Sequence, residues 1–207
     1  MFTGIVQGTA DVVEVTHLDA FCRLGLRLPE GADNGLQVGA SIAVDGVCLT
    51  IVRFEGRQVW FDVIDETLRL TTLGDRAAGD TVNIERAACF GDEIGGHNLS
   101  GHITGAGVVV RREDSAHNCA LWIELPVALR KYVLHKGYVG VDGASLTVGE
   151  VDEAKGTFSI HLIPETLRLT GLDSKGPGAR VNIEVDAMTQ AVVDTVERVL
   201  AARGTVG

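Results

Sequence analysis

The chain says most of its message twice. Val44-Asp45-Gly46 and Cys48-Leu49-Thr50 return as Val141-Asp142-Gly143 and Ser145-Leu146-Thr147, at an offset of 97. The block from Glu66 to Thr71 returns unchanged as Glu165 to Thr170, and Val82 to Glu85 returns as Val181 to Glu184, both at an offset of 99. Three blocks in one order and near-constant register mean a duplicated domain, with a period far too long for a solenoid or propeller blade. The 207 residues thus divide into units at 1–97 and 98–186, with a tail at 187–207 outside both copies. Phe2-Thr3-Gly4 aligns with Leu99-Ser100-Gly101, so the first copy is expected to start at the N-terminus.

Strand signals dominate each copy. Residues 22–28 and 119–125 alternate apolar and polar with period 2. Further strands are predicted at 5–15, 41–44, 47–52, 59–63 and 81–86, with counterparts at 102–110, 138–141, 146–151, 157–162 and 180–184. Gly occurs 26 times, about twice its usual share. Short strands joined by such turns predict an all-β protein, two similar six-stranded antiparallel barrels of Greek-key type. The two extra residues of copy two are expected at a hairpin tip, where 54–57 becomes 152–156, because a longer surface loop costs little.

Two segments break the strand rhythm. Residues 126–135 read as a short helix opened by Pro126 and stopped by Gly137. Residues 189–203 read as a long helix, with Val192, Val193, Val196, Val199 and Leu200 in one stripe and Asp194, Glu197 and Arg198 opposite. A stripe appended after two complete barrels has no obvious partner in its own chain, so it is expected to be an oligomerisation element.

The formal charge of −10 is spread along the chain, and no Lys/Arg cluster exists to displace counterions from a nucleic acid. No apolar run approaches the roughly 18 residues of a membrane span, and the N-terminus lacks the basic-then-apolar order of a secretory signal. The four cysteines are scattered, with no C-x-x-C pair. That disfavours a zinc site or a disulfide framework and points to reduced thiols in the cytoplasm.

Cys48 and Ser145 are the first candidates for chemistry. Each follows an Asp-Gly pair, a strong hairpin signal, so Asp45 and Asp142 are expected to form turns. The thiol and the hydroxyl are then expected at a barrel's open end, where ligands are commonly held; the plainer alternative for Cys48 is a buried small hydrophobe. Similar pockets with unlike polar groups suit a protein that binds two copies of one ligand and treats them differently. In the connector Gly95 to His102, two histidines five apart do not match the spacing of a helical zinc pair. His102 stands where copy one has Ile5, which suggests acid–base work. Glu66-Thr67 and Glu165-Thr166 each follow a strand and open a short helix, where they can cap it or meet a polar ligand.

Met1-Phe2-Thr3-Gly4-Ile5-Val6, Gly46-x-Cys48-Leu49-Thr50, Gly95-Gly96-His97-x-x-Ser100-Gly101-His102, the doubled Glu-Thr-Leu and the tail from Thr189 to Thr195 together resemble the riboflavin synthases of the alpha-chain type, over the whole chain. The resemblance implies a dismutation in which two 6,7-dimethyl-8-ribityllumazines exchange a four-carbon unit, giving riboflavin and 5-amino-6-ribitylaminouracil without a cofactor. It also implies a homotrimer joined through C-terminal helices, with two lumazines per site where the N-barrel of one subunit faces the C-barrel of the next. The catalytic candidates are His102, Cys48 and Ser145. Substrate contacts carried over by matching position are Gly4, Ile5 and Val6; Cys48, Leu49 and Thr50; Asp62, Val63, Ile64, Asp65, Glu66 and Thr67; Gly101, His102 and Ile103; Lys136; Ser145, Leu146 and Thr147; and His161, Leu162, Ile163, Pro164, Glu165 and Thr166. The runner-up is a non-catalytic relative, since the lumazine and flavin carrier proteins of luminous bacteria share the double barrel. They would be expected to lack the thiol or the imidazole that this chain keeps.

Overall fold

The computed structural model describes residues 1–19, 21–115 and 118–204; the last three positions of the expected tail, 205–207, lie outside the described residues. The first repeat contains β1 (Gly8–His17), β2 (Phe21–Arg27), β3 (Ser41–Val44), β4 (Val47–Glu55), β5 (Gln58–Ile64), α1 (Asp65–Leu70) and β6 (Thr81–Arg86). The second contains β7 (Gly105–Asp114), β8 (Cys119–Glu124), α2 (Val127–Arg130), β9 (Tyr138–Val141), β10 (Ala144–Asp152), β11 (Thr157–Leu162), α3 (Pro164–Leu169) and β12 (Arg180–Val185), and α4 (Ala187–Gly204) follows. Each repeat closes into a six-stranded antiparallel barrel; the order is β1-β2-β5-β4-β3-β6 in the first, and the second matches it strand for strand.

Period-2 alternation fills the barrels. Val47, Leu49 and Ile51 of β4 point into the first core with Phe61 and Val63 of β5, and Leu146, Val148, Ile160 and Leu162 do the same in the second. The two extra residues fall at the hairpin tip. Glu55 pairs with Gln58 across a two-residue loop, whereas Asp152 pairs with Thr157 across a four-residue loop. After α3 the sequence differs from copy one, yet Gly171–Ser174 makes the same 3₁₀ turn as Thr72–Asp75.

Three expectations need correction. The strands expected from Ile5 and His102 begin only at Gly8 and Gly105, because the residues before them leave their own barrel. Val6 is buried in the second core and Ile103 in the first. The helix expected over 126–135 is α-helical only over Val127–Arg130; beyond it, Tyr132, Val133 and Gly137 donate to carbonyls three residues back, which lets Leu129, Tyr132 and Val133 all face the core. Finally, Asp45 and Asp142 do more than turn the chain.

Asp45 (φ 44°) and Asp142 (φ 44°) do open tight hairpin turns with Gly46 and Gly143, both at φ 82°. The two tips meet at the centre of the molecule, where a Cβ on Gly46 would lie 2.7 Å from the Gly143 nitrogen. Around this contact the repeats exchange hydrogen bonds reciprocally. Asn83 Nδ2 donates to the Asp142 carbonyl and Asn182 Nδ2 to that of Asp45, both at 2.8 Å. Asn83 Oδ1 accepts from Gly171 N and Asn182 Oδ1 from Thr72 N, both at 2.7 Å. The Asp45 carboxylate accepts from Asn83 N at 2.8 Å and pairs with Arg76 at 2.6 Å; Asp142 accepts from Asn182 N at 2.7 Å and pairs with Lys175 at 3.1 Å.

Burial, with the Asp142 carboxylate nearby, pushes Asp45 up to about 6, against the pull of Arg76. A carboxyl whose folded pKa is raised keeps its proton where the unfolded chain has released it. Its contribution is therefore full below the unfolded value near 4 and is lost as pH rises toward 6. In Asp45→Asn the urea midpoint should fall less between pH 4 and pH 6 than in the parent. Equal slopes would show that Asp45 does not titrate in this window.

Candidate functional site

Both candidate sites are seams on the outside of a barrel. The β4–β5 ladder ends at Ile51 opposite Phe61; beyond that point β4 continues against β3 alone and β5 against β2 alone. In the second barrel the β10–β11 ladder likewise ends at Val148 opposite Ile160. Because Leu49 and Val63 fill the core, alternation turns Cys48, Thr50, Asp62 and Ile64 outward along this seam. Ser145, Thr147, His161 and Ile163 take the same places in copy two. The expectation of a barrel mouth is thus replaced by a shallow wedge on the outer wall, since the core side chains fill the interior.

Each wedge is completed by a strap from the other repeat. Thr3 N and Oγ1 donate to Glu85 Oε1 at 2.6 and 2.8 Å, and Gly4 N donates to Oε2 at 3.0 Å. Held there, Gly4 presents its carbonyl to Ser145 N at 2.8 Å. In mirror fashion, Ser100 N and Oγ donate to Glu184 Oε1 at 2.6 and 2.7 Å, Gly101 N donates to Oε2 at 3.1 Å, and the Gly101 carbonyl accepts from Cys48 N at 2.9 Å. Phe2 and Leu99 bridge the two straps by a pair of backbone bonds at 2.8 and 3.0 Å. Glycine is required at both crossings: a Cβ on Gly4 (φ 74°) would stand 2.5 Å from that of Ser145, and one on Gly101 (φ 82°) 2.5 Å from that of Cys48.

The structure therefore groups the sequence candidates into two sets. Cys48, Leu49 and Thr50, the segment from Asp62 to Thr67, and Gly101, His102 and Ile103 gather at the first wedge. Ser145, Leu146 and Thr147, the segment from His161 to Thr166, and Gly4, Ile5 and Val6 gather at the second. Leu49, Val63, Ile103, Leu146, Leu162 and Val6 form the buried floors, not the binding surface. Cys48 and Ser145 are half-buried and His102 is exposed. Asp62 is held by Arg23 through two bonds of 2.9 and 3.1 Å, and His161 Nδ1 lies 3.1 Å from Asn118.

Glu66 and Glu165 do not cap their helices, whose N-caps are Ile64 and Ile163 without a side-chain bond. Each sits two residues past the N-cap, inside the first turn. Glu165 pairs with Arg168 at 2.6 Å, while the Thr67 and Thr166 carbonyls receive the closing bonds at the helix ends. Lys136 stands before β9 at φ 65°, where copy one has Gly39 at φ 89°. A side chain in this left-handed conformation costs roughly 1–2 kcal/mol.

In the sequence His97 belongs to the connector motif that carries the resemblance and is set aside as a metal ligand, with no role in the site assigned to it. In the fold it is buried, with Nδ1 2.6 Å from Ser145 Oγ. The reason sequence reading missed it is that it lies outside the repeat alignment.

α4 docks by one edge. Val193 packs on the second core, and Tyr132 Oη donates to Asp194 at 2.5 Å. Its outer stripe remains open: Val192, Val196, Val199 and Leu200 are 55, 51, 46 and 62% exposed. Apolar surface is also open beside the wedges, at Ile5, Ile64, Tyr138 and Ile163. No helix among the described residues is long and apolar enough to cross a membrane.

The lumazine binding domain family matches twice, at residues 3–87 and 100–186. The riboflavin synthase of Escherichia coli K12 is 53% identical over 204 residues, covering 98% of this chain and 95% of that one. That of Chlamydia pneumoniae is 42% identical, covering 99% of each, and that of Mycobacterium bovis is 42% identical over 99% of this chain and 100% of its own. Among solved structures, LumP complexed with riboflavin superposes with a TM-score of 0.83 at 28% identity, over 90% of this chain and 100% of that one. LumP complexed with 6,7-dimethyl-8-(1'-D-ribityl)lumazine does so with a TM-score of 0.81 at 26% identity, over 90% and 99%. With a barrel of the matched domain in each half and kinship along its whole length, this chain belongs to the riboflavin synthase family.

Proposed function

We propose that each wedge holds one 6,7-dimethyl-8-ribityllumazine, and that the pair is dismutated to riboflavin and 5-amino-6-ribitylaminouracil. The observation that carries this reading is the repetition of one frame with a thiol in one wedge and a hydroxyl in the other. Moving a four-carbon unit between identical molecules leaves no net oxidation or reduction, so the task is to hold them in opposed orientations. Such placement is worth effective molarities of about 10⁵ to 10⁸ M. The first wedge of one subunit faces the second wedge of its neighbour, which covers Ile64 and Ile163 and brings Lys136 to the neighbour's ligand. At the first wedge, His102 receives a proton from the C7 methyl group of its lumazine, while the Cys48 S–H and the Ser145 O–H each donate a hydrogen bond to the lumazine in their own wedge.

The assembly is a homotrimer joined along the outer stripe of α4, and the compartment is the cytoplasm, in keeping with four free thiols. Incubation with the lumazine should release riboflavin fluorescence. Binding without release would favour the carrier reading. Sedimentation should give three times the 21.9 kDa of one chain. Val196→Glu, which places a charge in the stripe, should yield monomers with at least about 100-fold lower turnover, because burying an unpaired charge costs several kcal/mol. A Val196→Glu protein that stays trimeric would rule out the α4 interface.

A further inference from the structure

The turn that carries Lys136 is secured in copy two by a side chain that copy one lacks. In the first repeat the chain turns over 37–40, closed by Ala40 N on the Gln37 carbonyl at 3.1 Å, with Gly39 third at φ 89°. In the second it turns over 134–137, closed by Gly137 N on the Leu134 carbonyl at 2.8 Å, with Lys136 third at φ 65°. A third turn residue at positive φ is a place for glycine. The flanking ladder is the same in both: Gly39 N donates to the Ile51 carbonyl at 2.8 Å, and Lys136 N to that of Val148 at 2.9 Å. Bonds that serve a glycine in one copy do not account for a lysine in the other.

One further bond separates the copies. His135 Nδ1 lies 2.5 Å from the Gly149 carbonyl oxygen. A carbonyl accepts, so the ring donates there through Nδ1–H, as it can whether neutral or protonated. Copy one has Val38 and Val52 at these two positions and cannot make the bond. Gly149 lies in the β10 bulge, where pairing with β11 skips from Val148 to Val151. A Cβ on it would stand 2.5 Å from Ser159 Oγ, so the bulge is packed and offers the imidazole a fixed anchor.

Lys136 is also the lysine left over. Of the chain's four lysines, Lys131 pairs with Asp194 and Glu197, Lys155 with Asp152 and Lys175 with Asp142. Among the described residues no carboxylate pairs with Lys136, which is exposed. An ammonium on a flexible four-carbon stem reaches a set place only when its backbone is held.

We infer that His135 is a positioning residue: its bond to Gly149 keeps the turn in a shape that lysine would otherwise leave, and so aims the Lys136 ammonium at an oxygen of the neighbour's ligand. This rests on the function proposed above, in which Lys136 reaches across to the neighbouring subunit. Copy one, with glycine in its turn, needs no such tie.

The test compares His135→Val, His135→Asn, Lys136→Gly and the double variant of His135→Val with Lys136→Gly. KM for the lumazine, kcat and riboflavin affinity (by fluorescence quenching) are read in each. Valine is copy one's residue and cannot donate, whereas Asn Nδ2 stands where the ring Nδ1 stands and can. His135→Val should raise KM and weaken riboflavin binding by about 2- to 10-fold, the net effect of one hydrogen bond. Its kcat should move by less than about twofold, as when binding common to ground and transition states is lost. His135→Asn should restore both affinities. Lys136→Gly should weaken binding at least as much as His135→Val. Adding His135→Val to it should cost nothing more, because glycine takes the turn unaided and no ammonium is left to aim.

Equal losses in the two backgrounds would make His135 a structural residue alone. A silent His135→Val, or His135→Asn no better than valine, would show that the bond does not place Lys136. Each of these overturns the inference while the proposed function stands. A Lys136→Gly protein with parental KM would remove Lys136 from the neighbour's site and the inference with it. A parent that makes no riboflavin would sink the proposed function itself.

Discussion

Asn182→Leu should lower folding stability by about 2–5 kcal/mol, more than any change at an exposed asparagine such as Asn34. The residue is fully buried and bonds on both sides of its amide: Oδ1 receives Thr72 N at 2.7 Å, and Nδ2 reaches the Asp45 carbonyl at 2.8 Å. Leucine of similar volume removes both partners but leaves two backbone groups of the other repeat sealed from water, each costing about 1–3 kcal/mol. The loss falls on the contact between barrels and not within one, since neither partner belongs to the second repeat. Asn83→Leu should act alike, because Asn83 serves Gly171 and Asp142 in the same way. Urea unfolding of both variants provides the measurement. A loss under about 1 kcal/mol in either would mean that water reaches the orphaned groups and that the tips part easily.

The barrels were legible in sequence because period-2 alternation and Asp-Gly turns are local signals, and the duplication let one copy check the other. The hairpin insertion was legible for the same reason. The straps were not. Ile5 and His102 continue a strand-like pattern, and nothing local tells a chain running along its own barrel from one crossing to its twin. The clue was present in Gly4 and Gly101, whose side-chain-free crossings serve a contact about 140 positions away in one case and about 50 in the other. His97 was hidden differently, since a repeat comparison weighs only residues that have a counterpart. Glu85 and Glu184 were read as register marks in a repeated strand, while their carboxylates bind the segments that complete the sites.

That last pair yields the sharper expectation, because each carboxylate governs the wedge of the opposite barrel. Glu184 lies on β12 of the second barrel, yet the strap that it clamps ends in the Gly101 carbonyl on Cys48 N. Burial pushes its carboxyl up, while the Ser100 and Gly101 donors pull it down; Glu85 is held in the same balance by Thr3 and Gly4. In Glu184→Gln the amide keeps one acceptor oxygen but turns an NH₂ group toward the donors of Ser100 or Gly101. An unmade buried bond costs about 1–3 kcal/mol, so the strap should open roughly 10 to 100 times more often. Cys48 should then react with iodoacetamide about tenfold faster or more, as mapped on its own peptide. Cys89 is exposed in any case, and the buried Cys22 and Cys119 report global unfolding. Glu85→Gln should leave the Cys48 rate within about twofold, since its strap ends at Ser145. Equal acceleration by the two variants would mean that the straps loosen together through the Phe2–Leu99 bridge, and the crossed control of the wedges would be wrong.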